Sequence, residues 1–208
     1  MTKQIKILNL DSFAEAGVND FFEKVFNQFS IELDLLSETI YKDNGEGSVF
    51  ALIEPAWIGV LNNAVIRAFP EIATLQEFGV YDKNIHRVGY ADFLVDWKDK
   101  SGNYTHFLFE AKQHEVQNFE NRLHFIDEFL NEIYVQAQNY ISCTPNLIDQ
   151  KNVYIITIVF AWIRKENVMK AALEYMKNPN NSHNGDFHSL YYQGNHGVWI
   201  YGKVHRVD

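Results

Sequence analysis

The run VYIITIVFAWI, residues 153–163, carries no charge, no glycine and no proline. It is far shorter than the roughly 18 uncharged apolar residues that a membrane-spanning helix needs. Its length and its β-branched and aromatic content mark it as a strand. Because consecutive residues are apolar, both faces of that strand must be buried. Such a strand needs other strands beside it and a covering layer on each face. The chain is therefore expected to be an α/β protein, a mixed β-sheet flanked by helices.

The rest of the chain supplies those layers. Phe13, Ala16, Val18, Phe21, Phe22, Val25, Phe26 and Phe29 fall close to helical spacing after Asp11-Ser12, a candidate cap. YKDNGEGS, residues 41–48, is a loop. In EPAWIGVLNNAVIRAF, Pro55 suits the first turn of a helix that Pro70 ends. TLQEFGVY, residues 74–81, reads as a short strand. NFENRLHFIDEFLNEIYVQAQNYI places Phe119, Leu123, Ile126, Leu130, Ile133, Ala137 and Tyr140 three or four apart, as on an amphipathic helix. A further helix over 166–176 and strands near FHSLYYQ and GVWIYGKV close the chain.

The 208 residues suit one domain, and 16 Phe, 11 Tyr and 4 Trp can fill a large core. The formal net charge of −9 argues against a broad nonspecific coat on nucleic acid, which calls for a basic surface, but leaves room for a local basic groove. Cys143 is the only cysteine, so no internal disulfide forms. With no signal-like or membrane-spanning run, a cytoplasmic location is expected.

GYADFLVDWKDKSGNYTHFLFEAKQ, residues 89–113, reads as two strands and a polar turn, yet Asp92, Glu110 and Lys112 interrupt its apolar rhythm. Residues two apart share a strand face, so Glu110 and Lys112 point the same way. A hairpin centred near Ser101 sets residue 92 opposite residue 110, with Cβ atoms about 5 Å apart. Slippage by one residue would part them. Two carboxylates so close repel unless a cation compensates, and oxygen-only ligands suit Mg²⁺ or Mn²⁺. The plainer alternative is a solvated hairpin with an exposed Glu–Lys pair. The apolar ADFLV and HFLFEAK count against it.

Asp92 and the spaced Glu110-Ala111-Lys112 resemble the signature of the PD-(D/E)XK nuclease superfamily, over roughly Glu54 to Trp162. Ala91 stands where the family name implies proline. The resemblance implies a restriction-endonuclease-like αβββαβ core, about 46–163. To this are added an N-terminal helical segment (11–40) and a C-terminal helix and strands (165–208). It implies that Asp92, Glu110 and the Ala111 carbonyl hold Mg²⁺ or Mn²⁺ and that Lys112 is the catalytic lysine. Glu54 is similar to the family's helix acid, which would make it a further catalytic and metal-holding residue, or is a helix-start glutamate favoured by the macrodipole; Glu46 is a second candidate. Gln136 and Tyr140, four apart and on one helix face, resemble the Q-x-x-x-Y pair of the RecB-like branch, which supports substrate and active-site groups. Otherwise they are a surface and a core residue.

The implied function is a metal-dependent deoxyribonuclease with DNA as partner. Repair, restriction and phage defence all use this superfamily. An inactive nuclease-fold protein acting as a binding or structural subunit is the alternative, and a nuclease that gains DNA affinity from a protein partner lies between them. His86 and Arg87 lie just before the Asp92 strand, where they either touch a phosphate or are ordinary loop residues; His114 extends the lysine strand. His183, His188 and His196 match no zinc spacing and read as solvated loop residues. Tyr191, Tyr192, Trp199 and Tyr201 either stack on bases or, as strand spacing favours, belong to the core.

Overall fold

In a computed structural model, the described residues are 3–8, 10, 17–39, 52–81, 84, 87–98, 102–117, 123–143, 152–178 and 185–207. Asp11, Ser12, Phe13, Ala16, the 41–48 loop with Glu46, His86, Ser101, Phe119 and His183 lie outside them.

The elements follow the order β1 (Lys3–Leu8), α1 (Val18–Thr39), α2 (Glu54–Ala68), β2 (Ala73–Tyr81), β3 (Arg87–Lys98), β4 (Tyr104–Val116), α3 (Leu123–Cys143), β5 (Val153–Ile163), α4 (Glu166–Lys177), β6 (Phe187–Gln193) and β7 (His196–Arg206). The strands form one seven-stranded mixed sheet in the order β1-β6-β7-β5-β4-β3-β2. β4 and β5 run parallel, joined through α3, and the other neighbours are antiparallel.

β5 sits at the centre, as its apolar run requires. Its Tyr154, Ile156, Ile158 and Phe160 face a core shared with α1 and α2. Its Val159, Ala161 and Ile163 face α3 and α4. The first core is largely aromatic: Phe21 of α1 stacks on Phe107 of β4 at 4.5 Å, and Trp57 of α2 on Phe160 at 5.6 Å. Offset stacking of this kind adds to the area each ring buries.

α2 begins where expected. Ile53 is extended, Pro55 lies in the first turn, and Trp57, Ile58, Val60, Leu61, Ala64 and Val65 are buried. Two expectations are corrected. The helical segment expected from residue 11 has Gly17 just ahead of α1, in the left-handed region at φ 69° and against Trp97, so α1 begins at Val18. The N-terminal addition also includes a strand, β1, which pairs with β6 at the sheet edge.

His188 is a third correction. It is a fully buried β6 residue packed between Trp199 and Tyr201, not a solvated loop histidine. His196, at the start of β7, is exposed as expected. Tyr191, Trp199 and Tyr201 are core residues, and Tyr192 packs against the same core while half-buried. No described helix is long and apolar enough to cross a membrane.

At the centre of β7, Gly202 lets the strands close. A Cβ there would stand 2.1 Å from the Phe187 ring and 2.5 Å from the Thr157 carbonyl oxygen. Gly202→Ala is expected to destabilise the fold by ~1–3 kcal/mol. Thermal unfolding should show a Tm lower by about 2–4 °C per kcal/mol; an unchanged Tm would contradict this packing.

Candidate active site

β3 and β4 pair from Lys98↔Tyr104 up to Phe93↔Phe109, the register of a hairpin centred at residue 101. The ladder then stops. Asp92 and Glu110 are the next two residues on either side of the opening. On the other edge of β3, the ladder with β2 omits the Asp92 level, where Glu77 adopts a left-handed φ of 45°.

Where strands part, backbone N–H groups lose their partners and need others. Side chains supply them here. The Ala111 N–H donates to Asp92 Oδ2 at 2.7 Å, and the Gln113 N–H donates to Glu54 Oε2 at 2.8 Å. The Asp92 backbone N–H in turn bonds the Glu110 carboxyl. Each acid therefore sits against a strand amide that the opening exposes. Gln113 also donates through its side chain to the Leu52 carbonyl at 2.5 Å, tying the start of α2 to β4.

Glu110 lies on the α3 face, only 1 % exposed. Gln136 of α3 donates to its Oε2 at 3.2 Å and to the Tyr140 hydroxyl at 2.8 Å. Glu110 Oε1 is buried and has no hydrogen-bond partner among the described residues. Tyr140 leans over the β3 backbone at Gly89, where a Cβ would stand 2.5 Å from its hydroxyl. Any larger residue at 89 would push Tyr140, and with it Gln136, away from Glu110.

Lys112 is one strand step beyond Glu110, and its side chain is 42 % exposed. Its Nζ lies 3.8 Å from Glu54 Oε1. Glu54 rises from the other side of the sheet and meets the lysine through the opening. Asp92, Glu110, Lys112, Glu54, Gln136 and Tyr140 are thus gathered at one place. Glu54 is engaged by Lys112 and the Gln113 amide. Arg87 is exposed on β3, beside Tyr90. His114 packs at a tilt against Phe129 of α3, with ring centroids 5.4 Å apart.

Electrostatics follow from burial. Removal from water, then the nearby Asp92 charge, push the Glu110 carboxyl up to about 9, with the Asp92 amide and Lys112 opposing. Burial also raises Asp92, against the Ala111 amide and Lys112. Tyr140 is raised by burial and by Glu110. At neutral pH the pair holds a proton unless a cation compensates.

Among the described residues no three His, Cys, Asp or Glu side chains converge as a metal cage. Glu54, expected as a further ligand, has its two oxygens at Lys112 and the Gln113 amide, so the donor set left is two carboxylates and a backbone carbonyl. The N–H of Ala111 reaches Asp92, and in an extended strand the carbonyl of the same residue leaves on the same edge. Two repelling carboxylates and the partnerless Glu110 oxygen suit a hard cation that keeps several waters, as Mg²⁺ does. Sequence reasoning missed the Ala111 and Gln113 amides and the Gln113 side chain, since backbone donors leave no mark in a motif.

Comparison with known proteins returns no match: no family model, no curated protein and no solved structure aligns with the chain.

Between the ordinary carboxyl value of 4.5 and about 9, folded Glu110 keeps a proton that the unfolded chain has lost. Its contribution to stability is therefore complete below 4.5 and falls as pH rises to about 9. Glu110→Gln keeps the shape and cannot ionise. In metal-free buffer its Tm relative to wild type should climb by several degrees (~) between about pH 5 and pH 8.5. Parallel Tm–pH curves would contradict the assigned burial.

Proposed function

We propose that this chain is a metal-dependent nuclease that hydrolyses phosphodiester bonds in DNA. One observation carries the reading: the opening between β3 and β4 brings Asp92 and Glu110 together with Lys112 one step away. Asp92, Glu110 and the Ala111 carbonyl are the groups that would hold Mg²⁺ or Mn²⁺. Such an ion, when bound, lowers the pKa of a water and offsets phosphate charge.

The chain's own residues then have separate tasks. Lys112 presents an ammonium to the attacking water and to the charge that builds on the phosphate. Glu54 holds that ammonium toward the opening at 3.8 Å. Gln136 fixes the Glu110 carboxyl from above, and Tyr140 fixes Gln136. Asp92 is oriented by the Ala111 amide. These contacts restrain the carboxylates before any substrate arrives, which is what charge stabilisation without reorganisation requires.

The fold also agrees with the resemblance in element order: a helix bearing Glu54, three strands, the helix bearing Gln136 and Tyr140, and a central strand. Repair, restriction and phage defence are all processes in which such an activity serves.

A second reading is favoured by the net charge of −9. In it the same carboxylates serve only to cap the exposed strand amides, and the chain is an inactive binding or structural subunit. A nuclease that reaches DNA through a protein partner would combine the two.

Plasmid and linear DNA incubated with Mg²⁺ or Mn²⁺ distinguish these readings. Wild type should cleave, and Lys112→Ala should lower the rate by roughly 10²–10⁴-fold. Because that side chain is partly exposed, Tm should stay within a few degrees of wild type. Cleavage that survives Lys112→Ala contradicts the assigned chemistry. No cleavage by wild type at millimolar metal favours the inactive subunit.

A further inference from the structure

The body of α2 is fixed by burial from Trp57 onward, but its first turn is not. Ile53 stands at the cap position without a side-chain cap and is 68 % exposed. A helix start leaves backbone N–H groups without partners inside the helix, and an uncapped start frays. Glu54 is the next residue. Whatever places this turn therefore also places the Glu54 carboxylate.

The ion pair with Lys112 is too loose to do so. Its N···O separation is 3.8 Å, and the two side chains are 42 % and 30 % exposed. Pairs of that kind hold long side chains weakly. Gln113 of β4 supplies the missing hold twice. Its backbone N–H donates to Glu54 Oε2 at 2.8 Å, a charge-assisted bond. Its side chain, on the strand face opposite to Lys112, donates to the Leu52 carbonyl at 2.5 Å. One residue of β4 thus grips the helix start at positions 52 and 54, and Glu54 Oε1 then faces Lys112.

We propose that Gln113 is a positioning residue of the Asp92–Glu110–Lys112 site: its two hydrogen bonds seat Glu54, and Glu54 in turn aims the Lys112 ammonium at the opening between β3 and β4. The proposal rests on the nuclease reading and adds to it a residue that acts through another. A lysine side chain is a flexible four-carbon stem with many rotamers, and most of them carry the ammonium out to water. A charge that stabilises a transition state must be in place before the reaction begins. Removing the Gln113 carboxamide leaves every catalytic group present but the lysine unaimed. Because Lys112 acts on charge that builds only in the transition state, the loss falls on kcat and leaves KM.

The test joins DNA cleavage kinetics with Mg²⁺ to amide hydrogen exchange by NMR in the full chain. Gln113→Met keeps the length of the side chain and removes its donor. It should lower kcat by roughly tenfold, since small misplacements of a catalytic group already cost that much, with KM little changed. The amide at position 113 should exchange faster, towards its rate in Glu54→Ala, while amides elsewhere in β4 and β5 keep their protection. If Gln113 acts through Glu54, the Gln113→Met/Glu54→Ala double variant should cleave no more slowly than Glu54→Ala alone. Gln113→Glu, equally long and also without the donor, repeats the test should Gln113→Met disturb packing. Wild-type kcat in both Gln113 variants overturns the proposal. So do losses that multiply in the double variant, or unaltered exchange at position 113. If wild type does not cleave but exchange at 113 quickens in Gln113→Met, the seating of Glu54 stands and the hydrolytic reading falls. If wild type cleaves and the Gln113 variants match it, the reverse holds.

Discussion

The parting of β3 from β4 beyond Phe93↔Phe109 is the constraint on which the site depends. A strand that loses its neighbour leaves amides unpaired inside a protein, and each such group costs about 1–3 kcal/mol if nothing replaces the partner. Carboxylates replace it here: Asp92 at the Ala111 amide and Glu54 at the Gln113 amide. Charge-assisted bonds of this sort are stronger than neutral ones. The acids are therefore fixed in place by the same event that opens the sheet.

That arrangement explains why an apolar sheet tolerates so much charge. Glu110 is buried against α3 beside a second carboxylate, and without a cation it relieves the strain by keeping its proton. Capping alone does not account for all of it. Glu110 Oε1 meets no partner among the described residues, while Gln136 and Tyr140 are spent on holding the other oxygen. Perturbed carboxyls in an opening, with a lysine beside them, are more typical of a chemical site.

Much of this was legible in the residues because local pattern and tertiary demand agree. The unbroken run 153–163 is the buried central strand, and the hairpin register follows from counting outward from its turn. Pro55 and Pro70 bracket α2 because proline's constraints are local. What escaped depends on distant partners. β1 is a short edge strand whose role exists only through β6. His188 looks solvated among loop residues, yet Trp199 and Tyr201 enclose it. The start of α1 is set at Gly17 by Trp97, far along the chain, which occupies the space a side chain would need. At the site, the motif side chains could be named, but the strand amides that hold Asp92 and Glu54 emerge only once the strands are in place.

The most direct test is a calorimetric titration of Mn²⁺ into the wild-type chain and into the Asp92→Asn/Glu110→Gln pair of substitutions. The account predicts saturable binding to wild type at or below millimolar metal, lost in the double variant while its fold persists by circular dichroism. Absence of any binding heat at millimolar Mn²⁺, or binding unaltered when both carboxylates are neutralised, would contradict it.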